Sequence, residues 1–137
     1  MRAVLDANVL MAALLSPGGS PARVLLAWQA GHFEMIVSVQ LLDELRRALA
    51  CPKLRRLIDA AEADAFVAWL TRSATVAPAS GSVPAMRATD PGDDYLLALA
   101  ATENAVLVTG DRHLLQLASD LPIHSPASFL SHVLTET

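Results

Sequence analysis

Ala105-Val106-Leu107-Val108-Thr109-Gly110-Asp111 is an aliphatic run closed by a hydroxyl, a glycine and an acid. Apolar residues without polar alternation predict a short strand over 105–109 that is covered on both faces, with Gly110 and Asp111 ending it. The same pattern opens the chain, where Ala3-Val4-Leu5 runs into Asp6. Further strands are expected at 33–37, 75–77 and 122–124. Helices fall between them. Ser20 and Pro21 suit a helix start, as cap and first residue, and Gly31 suits its left-handed end. Ser38 caps a second helix over 39 to about 50, which Pro52 ends. Asp59 and Glu62 have capping-box-like spacing for a third, carrying Phe66, Trp69 and Leu70 as packing residues. Others cover 95–103, follow Asp111 and follow Ser125-Pro126. Residues 9–15 are too densely apolar to assign by period, and 78–89 read as a Pro/Ser/Gly-bearing loop. Val, Ile and Leu strands alternating with helices predict an α/β fold. It has three layers, α/β/α, around a central mostly parallel β-sheet, in a single domain over 1–137.

The 137 residues are 53% hydrophobic, which excludes disorder as a global description. Ten basic against fourteen acidic residues give a formal charge of -4, so a broadly basic nucleic-acid-binding surface is excluded. With 4% aromatics, base-stacking platforms are not expected either. The single cysteine, Cys51, cannot form an intramolecular disulfide and reads as a small buried or helix-end residue. No apolar segment approaches the roughly 18–20 residues that span a bilayer. Asp6 and Asn8 interrupt the apolar N-terminus, and no cleavage pattern follows. A cytoplasmic protein without a membrane partner is the expectation.

Open α/β sheets bind ligands beyond the carboxyl ends of their strands. Asp6 and Asp111 both sit at such ends, where each alone reads equally as a turn or cap residue. On the helix from Val39, Asp43 neighbours Arg46 and Arg47 at ion-pairing spacings. Glu44 instead borders the apolar stripe beside Leu41 and Ala48. Periodicity leaves it either as a boundary surface acid or as a carboxylate projecting toward the sheet edge. Asp93 and Asp94 cannot be separated by period. If Asp90 caps the helix, Asp93 serves its terminus and Asp94 points along the buried side, at a cost unless a cation compensates.

These residues carry a resemblance. Val4-Leu5-Asp6-Ala7-Asn8-Val9-Leu10, Ser38 with Leu41-Leu42-Asp43-Glu44-Leu45, Asp90-Pro91-Gly92-Asp93-Asp94-Tyr95-Leu96-Leu97-Ala98-Leu99-Ala100 and Leu107-Val108-Thr109-Gly110-Asp111 resemble, in order and spacing, the four motifs of the PIN-domain nucleases. The Asp90-to-Asp94 run and the Thr-Gly-Asp form look most like a bacterial subgroup, the VapC-like toxins of toxin–antitoxin systems. Ala7 stands where Thr or Ser is common. The resemblance implies a metal-dependent endoribonuclease with an RNA substrate, a small antitoxin partner and a homodimeric state. It also implies Mg²⁺ or Mn²⁺, the hard ions that oxygen-only ligands favour. Asp6, Asp94 and Asp111 become the expected metal ligands, with Glu44 holding a second ion or orienting the attacking water. Asn8, Thr109 and Asp93 are expected to orient those carboxylates, although turn amide, strand-end hydroxyl and helix-start acid describe them as well.

Five of the ten basic residues lie in one stretch: Arg46, Arg47, Lys53, Arg55 and Arg56. Such a strip suits RNA phosphates, a solvated hairpin surface or an acidic partner. A catalytically weak interaction module of the same fold is the alternative from another class. A phosphoryl-transfer or receiver-like protein fits less well. Asn8 stands where a second phosphatase aspartate would be, and the only lysine is Lys53.

Overall fold

Short aliphatic runs supply the central strands, and the sheet they build decides where the acids lie. The computed structural model describes residues 1–78, 94–119 and 121–135. Its strands are β1 (Arg2–Leu5), β2 (Glu34–Val37), β3 (Thr75–Val76), β4 (Val106–Val108) and β5 (Ile123–His124). They form one sheet in the order β3-β2-β1-β4-β5. Every pairing among them is parallel, with Val4 opposite both Ile36 and Leu107, and Val108 opposite both Leu5 and His124. The sheet is therefore all-parallel among the described residues, where the sequence predicted mostly parallel.

Helices α1 (Ala7–Leu15), α2 (Ser20–Gln29), α3 (Val39–Leu49), α4 (Pro52–Arg55), α5 (Ala60–Ser73), α6 (Asp94–Thr102), α7 (Arg112–Leu115) and α8 (Pro126–Thr135) connect and flank the strands. Right-handed crossovers put the connections from β1 to β3 on one face and the return to β4 on the other. The packing agrees: α1 lies on α2 and α3, α3 on α5, and α6 against β1 and β4. Val4, Leu5, Met35, Ile36 and Leu107 are sealed between these layers. Each fully buried side chain of this size stabilises by about 1.5–3 kcal/mol. No single helix among the described residues is long and apolar enough to cross a membrane.

The unassigned stretch over 9–15 is helix α1, started directly by Asp6. It carries no readable period because α2 and α3 pack against it and leave little polar face. The start of α2 shifts by one residue: Gly19 is the cap, with Ser20 and Pro21 inside the first turn. Its end is as expected. Gly31 has φ +86, and the following N–H of His32 reaches back to the Ala27 carbonyl at 3.0 Å. Pro52 both follows the end of α3 and opens α4, capped by an exposed Cys51. The helix-end reading of Cys51 holds and the buried one does not. Beyond Pro78, the expected loop and residues 90–93 lie outside the described residues.

At the amino-terminal edge of the sheet Arg2 clamps three chain segments. Its guanidinium donates to the Glu103 carbonyl at 2.5 Å and reaches the Glu103 and Glu34 carboxylates at 3.3 and 3.5 Å. The Thr75 hydroxyl donates to the same Glu34 carboxylate at 2.8 Å.

Candidate active site

The strand order reverses between β1 and β4. From β1 the chain builds outward through β2 to β3, then returns to add β4 and β5 on the other side. The crevice beyond the carboxyl ends of β1 and β4 is the place where such a sheet holds a ligand. Asp6 follows β1 and Asp111 follows β4 at that point.

Asp6 continues the ladder with its own N–H, which donates to the Val108 carbonyl at 3.1 Å. Its side chain then turns in to cap α1, Oδ1 accepting from the Val9 N–H at 2.8 Å. The residue is 3% exposed. Oδ2 accepts from the hydroxyl of Thr109, which is fully buried. Thr109 Oγ1 in turn accepts from the Asp111 N–H at 3.0 Å, and the Asp111 carboxylate caps α7 through the His113 N–H at 2.8 Å. Both acids are thus helix caps, as the plain reading of each had it, and one hydroxyl joins them.

Burial pushes the Asp6 carboxyl above its ordinary value, and the nearby Asp111 charge pushes the same way. The Thr109 hydroxyl and the N–H groups of Val9 and Asn8 pull it partly back. Among the described residues no Lys or Arg forms an ion pair with Asp6 or Asp111. A carboxylate held this deep without a cation is energetically unfavourable. The donors assembled here are all oxygens, the set that suits a hard divalent ion.

Glu44 lies half-buried on α3, on the border its periodicity indicated. Its carboxylate accepts from the phenol of Tyr95, the second residue of α6. Sequence reading missed Tyr95, although it directly follows Asp94 and is the chain's only tyrosine. Asp94 is the first residue of α6. Its side chain, and all of Asp93, lie outside the described residues. Without the Asp94 side chain, no three His, Cys, Asp or Glu side chains among the described residues group closely enough to hold a metal ion. Asn8 is exposed and reaches the site through its backbone N–H.

A family model described as PIN domain matches residues 2–113. The chain belongs to the PIN-domain family. Solved structures agree on the fold. PAE2754 from Pyrobaculum aerophilum is 22% identical with a TM-score of 0.66, over 98% of this chain and 96% of that one. VapBC2 from Rickettsia felis, bound to a DNA fragment from its promoter, is 16% identical with a TM-score of 0.63, over 91% of this chain and 98% of that one. Comparison with curated proteins finds none that matches.

The basic strip of this PIN domain is exposed throughout: Arg46 and Arg47 end α3, and Lys53, Arg55 and Arg56 follow on and after α4. Arg46 pairs with Asp43 at 2.9 Å, both about half exposed, as their spacing predicted. Arg47 lies three residues beyond Glu44, on the same side of the helix. Ser38 caps α3 through the Leu41 N–H at 3.1 Å and is not drawn into the carboxylate group. Trp28 and Trp69 pack together at 5.1 Å, with Phe66 beside them.

Proposed function

We propose that this PIN domain is a divalent-metal-dependent endoribonuclease, the toxin component of a type II toxin–antitoxin pair, acting in the cytoplasm. The observation that carries the reading is the pair Asp6 and Asp111, tied through one buried hydroxyl at the point where the strand order reverses. A cation beside Asp6 would offset the burial that now disfavours its charge. Asp6, Asp94 and Asp111 would hold Mg²⁺ or Mn²⁺, with Glu44 serving a second ion or orienting the attacking water. When bound, such an ion supplies Lewis acidity toward a phosphodiester and lowers the pKa of water.

The chain's own residues do the positioning. Val9 N–H fixes one Asp6 oxygen and the Thr109 hydroxyl the other, so the carboxylate cannot rotate. Thr109 holds the Asp111 backbone to the same frame. Asn8 lends its N–H to Asp6, and Asp93 would help to orient the same carboxylates. Arg47, Lys53, Arg55 and Arg56, with Arg46 partly neutralised by Asp43, would meet RNA phosphates. The fold likeness to the Rickettsia felis VapBC2 structure supports a small antitoxin as partner, and a second copy of the chain completes the proposed assembly.

The test is RNA cleavage with Mg²⁺ or Mn²⁺, with and without EDTA, for the wild type, Asp6→Asn and Asp94→Asn. Cleavage should require the ion and be lost in both variants. Metal-independent cleavage that survives both substitutions would overturn the nuclease reading. Co-expression with the product of an adjacent small reading frame tests the toxin reading: a stable complex and relief of growth inhibition are expected.

A further inference from the structure

The tie between Tyr95 on α6 and Glu44 on α3 joins residues that are 51 apart in sequence. Glu44 sits at the edge of the buried stripe of α3, where a flexible side chain with water within reach would ordinarily sample several rotamers. Tyr95 is the opposite kind of side chain. Its ring is rigid beyond two torsions and is packed against the hydrophobic core, so its hydroxyl stands at a fixed point. A phenol donating to a carboxylate therefore restricts Glu44.

The place of Tyr95 gives that restriction a direction. α6 packs against β1 and β4, whose ends carry Asp6 and Asp111. The first residue of α6 is Asp94 and the second is Tyr95. Glu44 belongs to α3, which packs on α1 and α5 and not on those two strands in any extended way. The phenol adds a tie from Glu44 to the helix that packs against both strands. Glu44 is thereby tied to the helix packed on the strands that lead into Asp6 and Asp111.

We propose that Tyr95 is a positioning residue that acts through Glu44, holding its carboxylate in register with the strand-end acids so that it can serve a divalent ion. This rests on the metal-site reading above. The experiment is a four-variant cycle: wild type, Tyr95→Phe, Glu44→Gln and the double variant, each titrated with Mn²⁺ alone by calorimetry. Tyr95→Phe, which keeps the ring and its packing, should weaken Mn²⁺ binding about tenfold. The double variant should bind no more weakly than Glu44→Gln, because the phenol has nothing left to hold. In turnover, Tyr95→Phe should lower kcat and leave KM for RNA unchanged. A second readout needs no change at Tyr95: the Mn²⁺ difference absorbance of the lone phenol should be present in the wild type and absent in Glu44→Gln. Mn²⁺ binding by the wild type with additive losses in the double variant, or no loss in Tyr95→Phe, would overturn the role of Tyr95 alone. A wild type that binds no Mn²⁺ would remove the metal site and this proposal together.

Discussion

The hydroxyl of Thr109 donates to the carboxylate of Asp6 across the boundary between β4 and β1, and the same oxygen receives the Asp111 N–H. Replacing it with an isosteric methyl, Thr109→Val, leaves a buried carboxylate oxygen and a backbone N–H short of a partner. The expected cost is about 1–3 kcal/mol of stability, read from urea unfolding. RNA cleavage should fall about 10–100-fold, as when an orienting partner of a metal ligand is lost. Thr109→Ser, which keeps the oxygen, should retain most of both. A loss confined to Thr109→Ser, with Thr109→Val unaffected, would mean that the methyl, and not the hydroxyl, matters here.

Asp6 places a negative charge where burial opposes it, a cost to stability that a bound cation would offset on the function proposed above. Its carboxyl is raised above the ordinary value of 3.8. The folded chain then keeps a proton over a range where the unfolded chain has released it, and stability falls as pH rises from about 3.8 through the folded value. Asp6→Asn removes that dependence and preserves an oxygen for the Val9 N–H. In EDTA at pH 7 the variant should melt above the wild type, and the gap should close as the pH is lowered toward 4. Mn²⁺ should restore the wild type and leave the variant unmoved. A variant less stable than the wild type in EDTA at pH 7 would contradict this account.

His124 and His132 stack with ring centroids 5.4 Å apart, joining the end of β5 to α8, and the His124 Nδ1 shares a hydrogen bond with Ser128 at 3.1 Å. Burial lowers the His124 pKa below 6.5, and the His132 charge lowers it further. The unfolded chain therefore takes up this proton first. Stability is complete above about pH 6.5 and is lost as the pH falls through the folded value. His132→Asn should reduce the loss. Thermal melting of both proteins between pH 5 and pH 8 provides the check.

Much of this arrangement was readable in the sequence because parallel strands buried on both faces advertise themselves as short aliphatic runs, and their ends mark the crevice. Asp6 and Asp111 were found that way. Two things were hidden for physical reasons. Residues 9–15 gave no helical period because a helix covered on most sides has no polar face to mark one. Tyr95 was missed because its meaning lies in a contact with Glu44 that only the tertiary fold creates. Glu44 showed the limit of periodicity: it located the residue at a boundary, and its partner then decided which way the side chain was held.

The Arg2 clamp lies at the amino-terminal edge of the sheet, the end away from the candidate active site. Arg2→Ala should therefore cost stability without touching cleavage. Ion pairs within reach of solvent contribute about 1 kcal/mol and a hydrogen bond to a backbone carbonyl about as much again. A loss of about 1–2 kcal/mol with unchanged kcat and KM is expected. The part due to Glu34 and Glu103 should shrink in high salt.

The basic strip makes the sharpest statement about substrate, because its charges differ in how free they are. Arg46 is already paired with Asp43 at 2.9 Å, so Arg46→Ala should change little. Arg47, Lys53, Arg55 and Arg56 are exposed. Removing them should alter stability by no more than about 0.5 kcal/mol for each substitution, since exposed side chains away from packing contacts carry little of it. Binding of single-stranded RNA should weaken, and the dependence of log affinity on log salt should become shallower. Each phosphate contact contributes about 0.7 to that slope, so four lost contacts reduce it by about 3. The rise should be in KM, with kcat retained, because on the proposed function these side chains would position the strand while the substitutions leave the carboxylates intact. An unchanged salt slope would assign the strip to a protein partner instead, and binding of the acidic face of that partner should then be what the fourfold variant loses.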